Sequence, residues 1–290
     1  MRVPNFLIIG AHKAGTSSLH QYLQQHPEVF LPSLKEPRYF SYDPDEVDVE
    51  PSPYAWGPRV HPIRTWNEYL DLFTPVTTER AVGEASPCYL NHPSCPTRIR
   101  QALPDVRLIV SLRNPLDRAY SGYLMAVRDA GETRPFADIL FGQRTAWHDT
   151  LVYYNACQRY LECFPRERVK FVRAETLNAQ PANLLRDIFA FLEVDPAFEP
   201  DVSARFNKGG VPRSRRLYRV LNDRRLRRLR PYIPGPFRSA LKRVQQASLR
   251  EPPALNDAIR ARFIELFRED ILRLQDLLNM DLSDWLKRER

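Results

Sequence analysis

FLIIGAHKAGTSSLHQYL, residues 6–23, joins a short apolar strand to a helix through a loop that contains two glycines. The apolar run before the loop predicts a buried strand, and Leu19, Tyr22 and Leu23 recur at the spacing of one helix face. Pro27 marks the end of that helix. A strand, a glycine loop and a helix in this order predict an anion site, because the N–H groups and the dipole of a helix start both favour negative charge.

Apolar strands and helical periods alternate along the rest of the chain. Further strands are predicted in RAVGEASPCYL from Arg80, in VRLIVSLRNP from Val106 and in VKFV at Val169–Val172. Helical periods lie between them, and this alternation is typical of parallel sheets. We therefore predict an α/β protein with a P-loop-like three-layer fold, in which a central parallel β-sheet is flanked by helices.

The length of the chain fits one large domain. A chain of 290 residues can bury a sizeable core, and we expect residues 1–290 to form a single domain. Apolar residues from Leu255 to Leu278 recur at helical spacing. We expect a C-terminal helical segment, residues 213–290, to pack on the domain.

The composition is that of a soluble globular protein, with 43% hydrophobic and 27% charged residues. No apolar run is long enough to span a bilayer, and MRVPNFLIIG lacks the length and cleavage site of a secretory signal. We therefore expect a cytoplasmic protein with reduced cysteines. Cys157 lies on the apolar side of a predicted helix and is expected to be a small core residue.

The chain is basic, with a net charge of +8, which favours an anionic ligand, substrate or surface. Much of the excess lies in RSRRLYRVLNDRRLRRLR, Arg213 to Arg230, where nine arginines accompany the single acid Asp223. This run is either a solvated helix face or a surface that holds a polyanion. No nucleic-acid module accompanies it, so we expect no nucleic-acid partner.

The lysine of the glycine loop is displaced from its position in nucleoside triphosphate loops. In GxxxxGK[ST], lysine follows the second glycine and the hydroxyl residue holds magnesium. Here Thr16 follows Gly15, Ser17 adds a second hydroxyl, and Lys13 stands between Gly10 and Gly15. Lys13 should therefore lie over the bond that joins a bound phosphate to the group beyond it.

A second anion site is predicted after the strand LIVSL. A triphosphate site needs an apolar strand that ends in Asp to organise its metal, whereas this strand runs into Arg113. Strand ends of a parallel sheet line the ligand crevice, so Arg113 and Ser121 could share one phosphate. The alternative for Arg113 is a surface ion pair.

With two anion sites in this order, the chain resembles the sulfotransferases that use 3′-phosphoadenylyl sulfate (PAPS), most closely their glycan-modifying and bacterial branch. GAHKAGTSSL resembles the 5′-phosphosulfate loop of the family, and SLRNPLDRAYSGY resembles its 3′-phosphate motif. The resemblance extends over most of the chain, through HPEVFLPSLKEPRYF, GEASPCYL, RYLECFPRERVKFVRAETL, FNKGG and DLSDWL.

The resemblance implies the residues that bind the donor. PAPS is the implied donor, 3′-phosphoadenosine 5′-phosphate (PAP) the product, and no metal is needed. Lys13 is implied to neutralise charge on the leaving phosphate during in-line transfer. NKGGVPRSRR resembles the late loop that closes over the donor. The implied donor-binding residues are Lys13, Ala14, Gly15, Thr16, Ser17, Arg113, Ser121, Lys208, Gly209 and Arg213.

The resemblance also implies a general base. LKEPRYF matches the motif whose glutamate serves as base in the glycan branch, which assigns that role to Glu36. The alternative is that Glu36 is an ordinary loop acid paired with Lys35 or Arg38. Glu84 is the reserve candidate, although a structural hydrogen-bonding role fits it better.

The acceptor is less well defined by the sequence. A glycan, another hydroxyl compound or an acidic substrate is the implied acceptor, and His12, Lys35 and Glu84 are candidate contacts for it. The glycan enzymes often have lysine where this chain has Ala85. Two other classes remain open: a P-loop kinase acting on a small molecule, and a nucleotide- or polyanion-binding module without catalysis.

Overall fold

A computed structural model describes residues 2–42, 63–143, 146–203, 211–212, 249–250 and 253–287. Five parallel strands form the central sheet in the order β2-β3-β1-β4-β5. They are β1 Phe6–Gly10, β2 Val29–Phe30, β3 Ala81–Ala85, β4 Arg107–Leu112 and β5 Val169–Arg173. Two further short strands, β6 Val211–Pro212 and β7 Leu249–Arg250, pair antiparallel.

Helices follow the strands in chain order, as expected of parallel connections. The described α-helices are α1 Thr16–Leu23, α2 Trp66–Asp71, α3 Cys95–Ala102, α4 Pro115–Met125, α5 Phe136–Leu140, α6 Ala146–Asp149, α7 Tyr154–Cys163, α8 Ala174–Ala179, α9 Pro181–Phe191 and α10 Asp257–Leu278. A π-helical turn, Ala126–Ala130, continues α4. Short 3₁₀ turns lie at Tyr39–Ser41, Arg166–Arg168 and Ser283–Leu286.

The sheet lies between two apolar layers. In β1, Leu7 and Ile9 pack in one core cluster while Phe6 and Ile8 pack in the other. Successive side chains of a strand point to opposite faces, so a strand covered on both sides must be apolar throughout. The predicted three-layer α/β fold is confirmed.

The C-terminal helix α10 belongs to the larger of these two clusters. Its Phe263 and Leu274 and the following Trp285 are buried beside residues of β1 and β4. A buried ion pair, Arg260 Nη2 to Asp117 Oδ1 at 3.8 Å, also joins α10 to α4. The described part of the predicted C-terminal segment thus packs on the sheet layers. Most of residues 213–252 lie outside the described residues, and the single domain remains a prediction.

The sequence predictions hold for the longer elements and fail for a short one. The predicted strands from Arg80, Val106 and Val169 correspond to β3, β4 and β5. Strand β2 was not predicted, because two residues are too few to carry a period-2 pattern. Cys157 is fully buried, as predicted, and none of the described cysteines forms a disulfide.

The two outer strands of the sheet differ from the central ones. Strand β2, at one edge, spans only two residues. Strand β5, at the other edge, carries Lys170 and Arg173 among its apolar residues. No described helix combines the length and apolar character that crossing a bilayer requires.

Candidate active site

The predicted site residues in the loops after β1 and β2, together with Arg113 after β4, lie at the carboxyl edge of the sheet. Strand β1 is central, and the chain passes from it to β2 and β3 on one side and then to β4 on the other. Such a reversal opens a crevice at the carboxyl ends of the strands. Three segments enter this crevice: residues 11–17 after β1 (the glycine loop), residues 31–42 after β2 (the acid loop) and Arg113 after β4.

Both glycines of the glycine loop are required by local geometry. Gly15 precedes α1 with φ 82°, a left-handed conformation that costs other residues energy, and a Cβ there would lie 3.1 Å from Leu177. A Cβ on Gly10 would lie 2.5 Å from the Cβ of Leu90. No side chain caps the N-terminus of α1, so N–H groups of its first turn are available to an anion.

Backbone contacts to β4 fix the path of the glycine loop. The N–H of Ala11 donates to the Ser111 carbonyl at 2.6 Å. The Ser111 hydroxyl in turn donates to the Ala14 carbonyl at 2.6 Å. Because Ser111 and Ala14 are fully buried, these hydrogen bonds are shielded from water and hold the loop against the sheet.

Lys13 occupies the crown of the loop. Its backbone is left-handed at φ 62°, and its Nζ lies 3.9 Å from the Sδ of Met125 at the end of α4. Burial, followed by the positive charges of Arg128 and Arg113, lowers the pKa of Lys13 to about 8. Arg128 lies in the π-helical turn and was not predicted; a π-turn next to a site has no clear sequence signal.

Arg113 lies beside the glycine loop, as predicted. Its Nη1 donates to the Lys13 carbonyl at 3.2 Å, so the guanidinium and the loop line one part of the crevice. The hydroxyl of Tyr153 donates to the Arg113 carbonyl at 2.9 Å and supports the turn into α4. Ser121 lies two turns into α4 with a half-exposed side chain.

Asn114 connects this turn to the C-terminal elements. Its side-chain oxygen accepts from the N–H groups of Leu116 and Asp117 and caps α4. Its backbone N–H donates to Glu175 at 2.8 Å, and its amide donates to the Trp285 carbonyl at 3.5 Å. The DLSDWL motif therefore packs against the start of the Arg113 helix.

Glu36 is held between two cations. Arg38 donates to its Oε2 from Nη2 at 2.5 Å and from Nε at 3.2 Å, while Lys35 Nζ lies 3.6 Å from its Oε1. The ion pairing that we considered as an alternative is therefore present with both partners. Burial acts to raise the pKa of Glu36, but the Arg38 hydrogen bond and the nearby positive charges outweigh it and lower the pKa. Glu36 is thus ionised at neutral pH and able to accept a proton.

The backbone of the acid loop is left-handed at Glu36 and Arg38. Glu36 and Arg38 both have positive φ, 60° and 58°. The Glu36 N–H donates to the Ala85 carbonyl and the Arg38 N–H to the Ser86 hydroxyl, each at 3.1 Å. Left-handed non-glycine residues persist where their surroundings hold them, and they cluster at functional sites. Arg38 was predicted only as an ion-pair partner; its position two residues after Glu36 was the available signal.

Lys35 and His12 connect the acid loop to the glycine loop. Lys35 Nζ donates to the Ser17 hydroxyl in the first turn of α1 at 2.7 Å. Burial and the charges of Arg38, Arg118 and Lys35 lower the pKa of His12 to about 3, although Glu36 opposes this effect. His12 is therefore a neutral imidazole near pH 7.

Glu84 differs from Glu36 in its exposure and in the direction of its pKa shift. Its side chain is fully buried, and the Tyr69 hydroxyl donates to its Oε1 at 3.5 Å. Burial raises the pKa of Glu84 to about 8, against hydrogen bonds that lower it. A protonated, enclosed carboxyl supports the structural role that was preferred for this residue.

Some predicted residues cannot be placed. Lys208, Gly209 and Arg213, together with the arginine run to Arg230, lie outside the described residues. Within the described ranges, no group of three or more His, Cys, Asp or Glu side chains is gathered closely enough to hold a metal ion. The expectation of a metal-free reaction stays a prediction.

The assembled site pairs an anion-binding half with a proton-accepting half. The glycine loop, Lys13 and Arg113 offer N–H groups and positive charge, and Glu36 offers an ionised carboxylate. The Lys35–Ser17 hydrogen bond joins the two halves. This arrangement suits in-line transfer of an anionic group to a nucleophile that must lose a proton.

Comparisons with known proteins show which family the chain resembles. The model of the sulfotransferase family matches residues 59–200. The crystal structure of a sulfotransferase from Alicyclobacillus acidocaldarius is similar to this chain with a TM-score of 0.73 and 31% identity, covering 99% of this chain and 100% of that one.

Two human relatives act on glycans according to their names. The bifunctional heparan sulfate N-deacetylase/N-sulfotransferase 2 is 29% identical over 71% of this chain and 24% of its own length. The heparan sulfate glucosamine 3-O-sulfotransferase 3B1 is 29% identical over 66% of this chain and 46% of its own length. The chain thus spans less than half the length of these two relatives.

Proposed function

The chain belongs to the sulfotransferase family, and we propose that it transfers a sulfuryl group from PAPS to a hydroxyl, or an amine, of an acceptor. The observation that carries this proposal is the position of Lys13. It stands at the crown of a strand–loop–helix anion site, with Arg113 hydrogen-bonded to its carbonyl. The donor carries two anionic groups, which match the two cationic side chains Lys13 and Arg113 on these neighbouring segments.

The two anionic groups of the donor are assigned to different residues of the site. The N–H groups at the start of α1, with Thr16 and Ser17, are assigned to the 5′-phosphosulfate. Arg113 and Ser121 are assigned to the 3′-phosphate. Ala14 and Gly15 shape the glycine loop that binds the donor. Lys208, Gly209 and Arg213 are assigned to the late loop that closes over the donor.

The chemical step breaks one bond to sulfur and forms another. The acceptor oxygen or nitrogen attacks sulfur, and the bond from sulfur to the phosphate oxygen of the donor breaks in line with that attack. The proton of the acceptor goes to the Glu36 carboxylate, and the ammonium of Lys13 stabilises the negative charge that develops on the leaving phosphate. PAP and the sulfated acceptor are the products.

A glycan is the acceptor class that we propose. Two relatives that are 29% identical carry heparan sulfate in their names, and the base motif in the acid loop resembles that branch. An acidic glycan also suits the positive net charge of the chain. His12, which lies on the glycine loop at the crevice, is assigned to the acceptor side.

Calorimetry tests the proposal most directly. The full chain is titrated with PAP and, separately, with ATP and magnesium. We expect PAP to bind more tightly, whereas preference for magnesium ATP would overturn the proposal in favour of a kinase. Transfer of labelled sulfate from PAPS to desulfated heparin, compared with a simple phenol, then tests the acceptor class. Binding of PAP without transfer to any acceptor offered would favour a non-catalytic binding module.

A further inference from the structure

Lys35 lies where the two halves of the site touch. Its Nζ is 2.7 Å from the Oγ of Ser17 and 3.6 Å from the Oε1 of Glu36. Ser17 belongs to the first turn of α1, where an anion is expected, and Glu36 is the assigned base. One ammonium thus contacts a residue of each half.

The partners of this ammonium are open to competition. The Lys35 and Glu36 side chains are each about one quarter exposed, at 25% and 24%, so a ligand in the crevice can reach the pair. The Ser17 hydroxyl accepts from Lys35 and keeps its own proton to donate to an anion. An anion at Ser17 would bring negative charge to Lys35, which is paired with only one oxygen of Glu36 at a distance beyond a strong hydrogen bond.

The other partner of Glu36 is held differently. Arg38 makes two hydrogen bonds to Oε2, and its own backbone N–H is fixed by the Ser86 hydroxyl. Because two N–H groups of the planar guanidinium reach the same oxygen, Oε2 stays held even when the second cation leaves. The two cations therefore have separable tasks: Arg38 orients Glu36, and Lys35 is free to change partner.

We propose that Lys35 couples the donor site to the base, by moving from Glu36 to the sulfuryl oxygens when PAPS binds beside Ser17. This inference rests on the proposed function. With the donor absent, Lys35 and Arg38 together stabilise the Glu36 carboxylate. With the donor present, the sulfuryl group takes the Lys35 ammonium, and Glu36 becomes a stronger base at the time that an acceptor must lose its proton.

The test compares Lys35→Met with Lys35→Arg in the full chain. PAP lacks the sulfuryl group, so Lys35→Met should weaken PAPS binding about 10- to 100-fold, the loss expected for one charge-assisted hydrogen bond. PAP binding should change less than about threefold, and Lys35→Arg should restore much of the PAPS affinity. Lys170→Met is the matched control. It removes an ammonium in β5 that lies over the ring of Phe191 in α9, and it should alter neither affinity.

The pH profile supplies a second readout that a merely structural role would not move. A nearby cation lowers the pKa of a carboxylate, so Lys35→Met should shift the acid limb of kcat/KM for PAPS, which reports the donor-free protein, to higher pH. The acid limb of kcat/KM for the acceptor at saturating PAPS should not move, because Lys35 has already left Glu36 in the donor-bound protein. The other groups that act on Glu36 are Arg38 on the same loop, His12 after β1 and Glu84 in β3, and all three remain in both proteins. The shift therefore reports on Lys35.

Different results would overturn the coupling by Lys35 and the proposed sulfuryl transfer. Equal losses of PAPS and PAP affinity in Lys35→Met, or an unchanged PAPS affinity, would overturn the coupling while sulfuryl transfer by the wild-type protein stands. Absence of PAPS binding by the wild-type protein would instead overturn the proposed function. An unaltered melting temperature of Lys35→Met excludes unfolding as the cause of any loss.

Discussion

The Lys35–Ser17 hydrogen bond connects the glycine loop to the acid loop, yet the two loops are held in different ways. Hydrogen bonds to β4, from Ala11 and to Ala14, fix the path of the glycine loop. The backbone of the acid loop is also anchored by hydrogen bonds, at Glu36, Arg38, Phe40 and Tyr42 among others, but its charged side chains pair mainly with one another.

This difference matches two different tasks. A site that binds phosphate must present N–H groups in fixed directions, and backbone hydrogen bonds in a buried environment provide that rigidity. A base must exchange a proton, so its partners need to be charges that a substrate can displace. Under the proposed function, the fixed backbone of the glycine loop serves binding, while the exchangeable ion pairs of the acid loop serve the chemistry.

The largest effect is expected when the proposed base, Glu36, is removed from the acid loop. Glu36→Gln keeps the shape of the side chain and removes its ability to accept a proton. We expect kcat for sulfuryl transfer to fall by about 10²- to 10⁴-fold, the typical contribution of a general base. PAP affinity, measured by calorimetry, should change little because the glycine loop is untouched. A variant that keeps near-normal kcat would show that Glu36 is only an ion-pair partner.

The next largest effect is expected from the binding half of the site. Arg113→Ala removes the guanidinium assigned to the 3′-phosphate, and PAP affinity should fall by about 1.5 to 3 kcal/mol. Adenosine 5′-phosphate lacks that phosphate and serves as the control ligand, whose affinity should change far less. Equal losses for the two nucleotides in calorimetry would place Arg113 at the 5′ end or in a purely structural role.

A smaller effect should follow from the titration of Lys13. Its pKa is lowered to about 8 in the unliganded protein, and a bound phosphate favours the charged ammonium and raises it again. PAP binding therefore takes up a proton above pH 8, and affinity should fall with rising pH by up to about tenfold per pH unit.

Calorimetry from pH 7 to 9.5 checks this prediction. The control is Lys13→Arg, which keeps its charge over that range and should give a much flatter profile. An identical slope in both proteins would assign the proton uptake to another group.

The smallest effect concerns stability rather than binding. The pKa of Glu84 is raised to about 8 in the folded protein, so its contribution to stability is full below the ordinary pKa of 4.5 and is lost as pH rises through 8. Glu84→Gln removes this dependence. Thermal unfolding should give similar melting temperatures at pH 5 and a variant that is a few degrees more stable at pH 9. Parallel pH profiles would mean that Glu84 does not titrate in this way.

Much of the binding half could be predicted from the sequence because its signals are local. The two glycines, the strand before them and the apolar face after them all lie in one stretch of 18 residues, so backbone conformation and side-chain spacing suffice. Arg113 was equally accessible, because a residue that follows a buried parallel strand must lie at the ligand edge.

The contacts between the loops could not be predicted in this way. The Lys35–Ser17 hydrogen bond depends on how β2 and α1 pack, and β2 is too short to carry a pattern. The approach of Arg128 to Lys13 depends on a π-helical turn, and the fixing of the glycine loop depends on Ser111 in a strand about 100 residues away. These are tertiary contacts, which single-segment periodicity does not encode.

The two outer strands of the sheet have a consequence for the behaviour of the protein in concentrated solution. Exposed strand edges offer unpaired N–H and C=O groups on which another chain can add a strand, which is a common route to aggregation. Here one edge is only two residues long, and the other carries the charge of Lys170 and has Arg173 paired with Asp284 of the C-terminal segment, so both features oppose such pairing. The catalytic crevice forms at the centre of the sheet, so these safeguards against self-association can operate without any cost to the reaction.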